Sequence, residues 1–207
     1  MVQRQQRQDG KARLTAQDWA DAALAAIREG GVAAVAVEPL AARLGTTKGS
    51  FYWHFANRDA LVDAALDRWE QISTEGTISE VEAEPDPAER IRRLFTEAVA
   101  SATADPLEVA LLATATHPQV AAAMRRVTER RVAYLGRLFA GLGFPEPEAR
   151  RRGLLAYTAY LGHAQLGHAV PSVLPPEEGG EFRAYLSEAL EALMTRPTRP
   201  TCPPADR

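Results

Sequence analysis

The side chains best suited to chemistry in this chain are gathered between residues 47 and 58. Lys48 carries an ammonium that can reach a phosphate or the acceptor edge of a guanine, and Ser50 adds a small hydroxyl two positions on. Gly49, between them, lets a nucleic-acid backbone come close. Tyr52, Trp53 and His54 follow without a break, and Arg58 supplies a further cation. Phe51 and Phe55, four apart, share one face of a helix and are expected inside. The other three aromatic rings are then left over a surface that a monomer has little reason to expose. A short aromatic-rich helix can equally be core. What separates this one is the conjunction of a preceding glycine turn, a polar helix start, clustered rings and flanking cations.

Other chemistries find little support. The sequence contains no G-x-S-x-G, H-E-x-x-H, phosphate-binding glycine loop or paired-carboxylate arrangement, so an enzyme is not expected. His163 and His168 are five apart rather than the four that puts two imidazoles on one helix face, and no cysteine or acidic pair joins them. Neither a metal nor another cofactor is expected. Cys202 is the single cysteine, which excludes an internal disulfide and suits a reducing cytoplasm. No secretory leader is legible, and no run approaches the ~20 apolar residues of a membrane span. A cytoplasmic protein without membrane contact is therefore expected.

Those contact residues must be held by helices. Hydrophobic content of 46% and charged content of 25% are ordinary for a globular chain, and strand-like runs are nearly absent. The formal net charge of −3 hides an uneven distribution. Arg4, Arg7, Lys11 and Arg13 make the first fourteen residues basic, whereas Glu75, Glu80, Glu82, Glu84, Asp86 and Glu89 make a later stretch acidic.

Thr15 reads as the cap of a first helix over 16–29, with Asp18 completing an acidic capping box and Gly30–Gly31 as the stop. Val37, Leu40, Ala41 and Leu44 form the apolar face of a short second helix ended by Gly45. A third helix is expected over 48–54, and a fourth from Arg58, capped by Asn57. A short helix, a tight glycine turn and a second short helix form a helix-turn-helix unit, which sets its second helix into the major groove of DNA. The acidic stretch 73–87, with Gly76, Pro85 and Pro87, reads as a linker or helix-end loop. Further helices follow around 91–98, 107–115, 118–140, 148–169 and 181–195, giving about nine in an all-α fold.

The run from Leu40 to Leu61 (LAARLGTTKGSFYWHFANRDAL) resembles the DNA-binding signature of the TetR/AcrR family of transcriptional regulators. The resemblance covers about the first third of the chain and implies a three-helix DNA-binding domain followed by a helical ligand-binding and dimerisation domain. On that basis residues 1–14 are a flexible basic arm, 15–58 the helix-turn-helix domain, 59–196 the ligand-binding and dimerisation domain, and 197–207 a flexible Pro-rich tail. The implied function is sequence-specific DNA binding by a repressor, released from a palindromic operator by a small-molecule inducer.

Carried over residue by residue, the resemblance makes Thr47 the cap of the recognition helix and a phosphate neighbour. Lys48, Gly49 and Ser50 would face bases, and Trp53 would contact a thymine methyl. Tyr52, His54 and Arg58 would contact phosphates. Ala36 stands where the family commonly has a capping hydroxyl residue. Val37 and Glu38 stand where the family often has a hydroxyl residue and a base-reading arginine; Glu38 can accept from a cytosine amine, but a solvent-facing carboxylate near a helix N-terminus is the plainer expectation. The second helix is therefore expected to add little to the choice of site.

The resemblance further implies a homodimer through the two long C-terminal helices, with Ala156, Ala159, Gly162, Ala164 and Gly167 permitting close approach. Leu154, Leu155, Leu161, Leu186, Leu190 and Leu193 would supply apolar area. Partners are then double-stranded operator DNA, a second copy of the chain and a small hydrophobic or aromatic inducer. Trp69, Phe95, Leu111, Thr114, His117, Met124, Tyr134, Tyr157, Tyr160 and His163 sit on the helices that would surround the inducer, although plain core packing is the readier explanation for each of them.

Overall fold

Local chemistry sets the helices of the described residues, 14–176 and 179–195 of a computed structural model. The expected basic arm, apart from Leu14, and the Pro-rich tail with Cys202 lie outside them. Thr15 opens α1 (Ala16–Gly30) with a complete capping box. Its hydroxyl accepts from the Asp18 amide at 3.2 Å, and the Asp18 carboxylate accepts from the Thr15 amide at 2.7 Å. Gly31, at φ 69°, ends the helix, followed by a 3-10 turn (Val32–Ala34). Helix α2 (Val37–Arg43) has no side-chain cap at Ala36, in line with the missing hydroxyl. Gly45, at φ 63°, makes the turn into α3 (Lys48–Phe51). Asn57 caps α4 (Arg58–Glu70) by accepting from the Ala60 amide at 2.9 Å.

The acidic stretch departs from expectation. Instead of a linker from Ser73, the chain runs from α4 straight through a π-helical segment (Gln71–Gly76) into α5 (Thr77–Glu82). Ser73 donates its hydroxyl back to the Trp69 carbonyl at 2.7 Å, the type of contact that competes with the regular helical ladder. Thr74, Ile78 and Val81 are buried, and this burial outweighs the breaking tendency of Gly76. The helix stops only ahead of Pro85. Asp86 then caps α6 (Pro87–Ala104), accepting from the amides of Ala88 and Glu89. Helices α7 (Leu107–Ala113), α8 (Pro118–Gly141), α9 (Glu146–Ala169) and α10 (Gly180–Met194) complete an all-helical chain, with no strand among the described residues.

Packing divides the chain into two compact units. One holds the described residues to Ser79 together with 106–129; the other holds 80–105 and the described residues from 130 on. The first unit thus runs past the boundary expected at residue 58. The first unit has one core: Trp19, Ile27, Leu40, Phe51, Phe55, Leu61 and Leu66 cluster with Leu107, Leu111, Val120 and Val127. Trp19 meets Phe51 edge-on at 5.4 Å between ring centres, and Phe51 stacks on Phe55 at 5.7 Å. Such ring pairs are worth about 0.5–1.5 kcal/mol beyond their buried area, and they fix the roll of α3 about its axis.

In the second unit the C-terminal part of α8 packs against α9 at two glycines. A Cβ on Gly153 would lie 2.8 Å from the Gly136 nitrogen and 3.1 Å from the Val132 carbonyl oxygen, so the two backbones are in contact. Arg152, on α9, donates to the carbonyls of Leu193 and Thr195 at the end of α10 and lies 4.2 Å over the Phe144 ring. No helix among the described residues is long and apolar enough to cross a membrane.

Candidate nucleic-acid interface

The structure separates the aromatic residues of α3 and the following turn into two sets. Phe51 and Phe55 are buried, while Tyr52 and Trp53 are 58% and 81% exposed. The helix itself is shorter than the expected 48–54. Beyond Phe51 the backbone tightens, with the amides of Trp53 and His54 bonded three residues back to Ser50 and Phe51. This tight turn sends Tyr52 and Trp53 outward and leaves His54 half-buried, while Phe51 and Phe55 hold the segment to the core. Lys48 and Gly49 are exposed and Ser50 is partly so.

Gly49 is informative for what does not surround it. A Cβ there would meet only the Thr47 hydroxyl at 3.6 Å, an ordinary contact. Packing of the fold places no demand for glycine at this position, so any need for it comes from outside the chain.

The structure corrects the capping role expected of Thr47 and gives Arg58 partners within the chain. Thr47 occupies the N-cap position of α3 in extended conformation, but its side chain makes no capping bond. The Ser50 amide, which a cap would serve, already donates to the Thr47 carbonyl at 3.0 Å. Arg58, placed on a phosphate by the sequence, turns inward: its guanidinium donates to the carbonyls of Val35 at 2.7 Å and Val32 at 2.5 Å. These carbonyls lie after and within the 3-10 turn, so Arg58 ties that connection to the start of α4. A phosphate would have to compete with both bonds.

One contact had no sequence signal. The Lys48 ammonium donates to the Glu38 carboxylate at 2.8 Å, across the turn between α2 and α3. Accepting this hydrogen bond from Lys48, together with the charge behind it, lowers the pKa of Glu38, and the same bond raises that of Lys48. Both groups remain largely exposed, at 73% and 53%. A ten-residue separation across a turn matches neither helical nor strand spacing, which is why the pairing was not legible.

The residues named around an inducer are divided between the two units. Trp69, Leu111 and Met124 belong to the core that also holds Phe51. Thr114 returns its hydroxyl to the Ala110 carbonyl, and His117 precedes α8 in the same unit. Phe95, Tyr134, Tyr157, Tyr160 and His163 belong to the second unit. There Tyr157 and Tyr160 stack at 6.0 Å, and His163 is buried with Nδ1 3.4 Å from the Tyr185 hydroxyl. The buried Tyr134 hydroxyl makes no hydrogen bond, and burial raises its pKa. A cavity of about 240 Å³ between α4 and α8 is lined by Asp63, Leu66, Asp67, Pro118, Gln119, Ala122, Ala123 and Arg126, none of which was named from the sequence. Its charges are satisfied internally, since Arg126 pairs with Asp67 and Glu70 and Gln119 donates to Asp63. It is also smaller than the ~300–1,000 Å³ usual for ligand sites.

The long C-terminal helices show which expected interface residues are available. Ala156, Ala164, Leu186, Leu190 and Leu193 are buried within their own unit. Leu155, Ala159, Gly162 and Leu166 are exposed, and their 4-3-4 spacing places them on one stripe of α9. A Cβ on Gly162 would have nothing within 4 Å.

Comparison with known proteins agrees with this geometry. Residues 20–65 match the family described as bacterial regulatory proteins, tetR family. No curated protein matches the chain. Among solved structures, a transcriptional regulator from Rhodococcus sp. Rha1 is 24% identical with a TM-score of 0.68, covering 87% of this chain and 94% of its own. FadR from Bacillus subtilis, in complex with stearoyl-CoA, is 13% identical with a TM-score of 0.63, covering 87% and 98%. The fatty acid degradation regulator FadR from Bacillus halodurans is 17% identical with a TM-score of 0.64, covering 89% and 97%.

Proposed function

We propose that this chain, a regulator of the TetR/AcrR family, is a dimeric repressor that leaves a palindromic operator when a small apolar molecule binds it. The observation that carries DNA reading is the outward fan of Tyr52 and Trp53 beside Lys48, on a turn whose other two rings are locked in the core. Tyr52 and His54 hold phosphates and set register; Lys48, Gly49 and Ser50 face base edges, and Trp53 lies against a thymine methyl. Arg58 acts from behind, by fixing the connection ahead of α2. DNA reading belongs to residues 15–58, and ligand binding and dimerisation to 59–196.

The exposed stripe on α9 supports a twofold dimer, because two recognition helices one turn of DNA apart require a symmetric reader. Ligand control follows from how the first unit is built. Residues from α7 and α8 share the core of the recognition helix, and Gln119 on α8 donates to the Asp59 carbonyl and the Asp63 carboxylate of α4. A ligand that favours one placement of these helices shifts the population able to dock on both half-sites. The stearoyl-CoA held by the Bacillus subtilis neighbour supports an apolar inducer class.

Mobility shift of the DNA flanking the chain's own gene, at low salt, tests the reading. A shift that disappears on replacing both Tyr52 and Trp53 by alanine in an otherwise stable dimer is expected. Absence of any shift by the wild-type dimer overturns it.

A further inference from the structure

We infer that Glu38 and Lys48 act as one base-reading unit, an ion pair that selects a G·C pair at one position in each half-site. The inference rests on the DNA-reading role proposed for α3. Three observations carry it. Lys48 is the first residue of α3, where a recognition helix meets base edges. Glu38, from α2, is brought to the same spot by a direct 2.8 Å bond. Both side chains remain open to solvent, so the couple is presented outward and not used up in packing.

The chemistry of the couple is that of a donor beside an acceptor. In the major groove a G·C pair offers guanine N7 and O6 as acceptors and the cytosine N4 amine as a donor. O6 and N4 are joined by an N–H···O bond and so lie about 2.9 Å apart, close to the separation of Nζ and Oε1. An ammonium over guanine and a carboxylate over the cytosine amine thus keep their mutual bond while each gains a partner of opposite polarity. Ammonium protons remain for both N7 and O6, since only one is given to Glu38. An A·T pair offers adenine N7 as an acceptor, then the N6 amine as a donor, then thymine O4 beside a methyl group. The couple can lie there with its ammonium on N7 and its carboxylate on N6, but the ammonium then has one acceptor where guanine gives it two, so the G·C pair is favoured by one charge-assisted bond.

The couple also explains the departure at Glu38. A lone carboxylate facing DNA is repelled by phosphates; one tied to Lys48 adds no net charge. The pair therefore contributes selectivity with little counterion release, because a cation already neutralised displaces few ions from DNA.

The test uses the full-length dimer. Bound DNA is selected from a random pool with the wild type, and each G·C pair of the resulting half-site is then changed in turn to A·T. Binding is measured for the wild type, Glu38→Gln, Lys48→Met and the double variant across a range of salt. The wild type is expected to lose about ten-fold at one position in each half-site. Either single variant abolishes discrimination there, the double variant goes no further, and the double variant, which conserves net charge, keeps the salt slope of the wild type. If the double variant lowers the slope by about one per half-site, Lys48 sits on phosphate and the inference fails. If the wild type selects a site but keeps its discrimination in Glu38→Gln, the inference fails while the DNA-reading proposal stands. If the wild type selects no DNA at all, both fall.

Discussion

Replacing Gly153 by alanine probes the tightest surroundings of any described glycine. The new Cβ would lie 2.8 Å from the Gly136 nitrogen, 3.1 Å from the Val132 oxygen and 3.2 Å from the Leu135 carbonyl carbon. All three are backbone atoms, which cannot swing aside as a side chain can, so α8 and α9 must part by roughly 0.5–1 Å to restore ordinary contact. Overpacking of this type costs about 1–3 kcal/mol, and alanine returns about 1 kcal/mol as a better helix former than glycine. A net loss of up to about 2 kcal/mol is expected. The partner glycine supplies the control: a Cβ on Gly136 meets only Arg150 backbone, at 3.6 Å, so Gly136→Ala should be neutral or stabilising by up to about 1 kcal/mol. Because the gain from alanine is common to both, the two variants should differ by the overpacking cost alone, about 1–3 kcal/mol, at about 2–4 °C per kcal/mol for a chain of this size. Thermal and urea melts at one fixed protein concentration measure this, because dimerisation makes the midpoint depend on concentration. Should Gly153→Ala prove as stable as Gly136→Ala, the argument from backbone contact is wrong.

The interface gives three further expectations. Gly49→Ala should leave the melting temperature unchanged or slightly higher, because the fold has room for the methyl group, yet weaken DNA binding measured by fluorescence anisotropy; unchanged affinity would remove Gly49 from the contact surface. Arg58→Ala strips two hydrogen bonds from the Val32 and Val35 carbonyls and should cost about 1–3 kcal/mol in urea unfolding; a normal melt with a lowered salt slope would instead return Arg58 to the phosphates. Asp18 is held below its ordinary pKa of 3.8, first by the Thr15 amide and then by the Thr15 hydroxyl. A depressed folded pKa gives stability that is full above the unfolded value and fades as pH falls through the folded one. The stability gap between wild type and Asp18→Asn should therefore be constant near neutrality and contract below about pH 4; a gap that does not change with pH would show that the carboxylate charge is not what caps α1.

Much of this molecule is settled by short-range chemistry. Thr15 and Asp18 are three apart, Asn57 and Ala60 likewise, and Phe51 and Phe55 four apart; each pair needs only helical geometry to meet, so the cap, the start of α4 and the buried rings were all readable. Gly45 was readable too, since a tight turn with positive φ favours glycine. The reading of residues 73–87 as a loop failed because the rule that glycine and proline break helices is local. Burial of Thr74, Ile78 and Val81 acts through contacts absent from that rule.

What only the tertiary structure decided has one cause in common: the partner lies far along the chain or on another helix. Arg58 finds carbonyls 23 and 26 residues away, and those bonds are stronger than a local pattern can suggest because they involve a charged donor. The division of the C-terminal apolar residues into core and exposed stripe depends on how α9 is rolled, which α8 sets through the Gly153 contact. The sequence by itself determined the glycine turn ahead of α3 and which rings of the following segment are buried and which face outward. The fold decided that Lys48 is joined to Glu38, because the turn at Gly45 brings a carboxylate from one helix to an ammonium on the next.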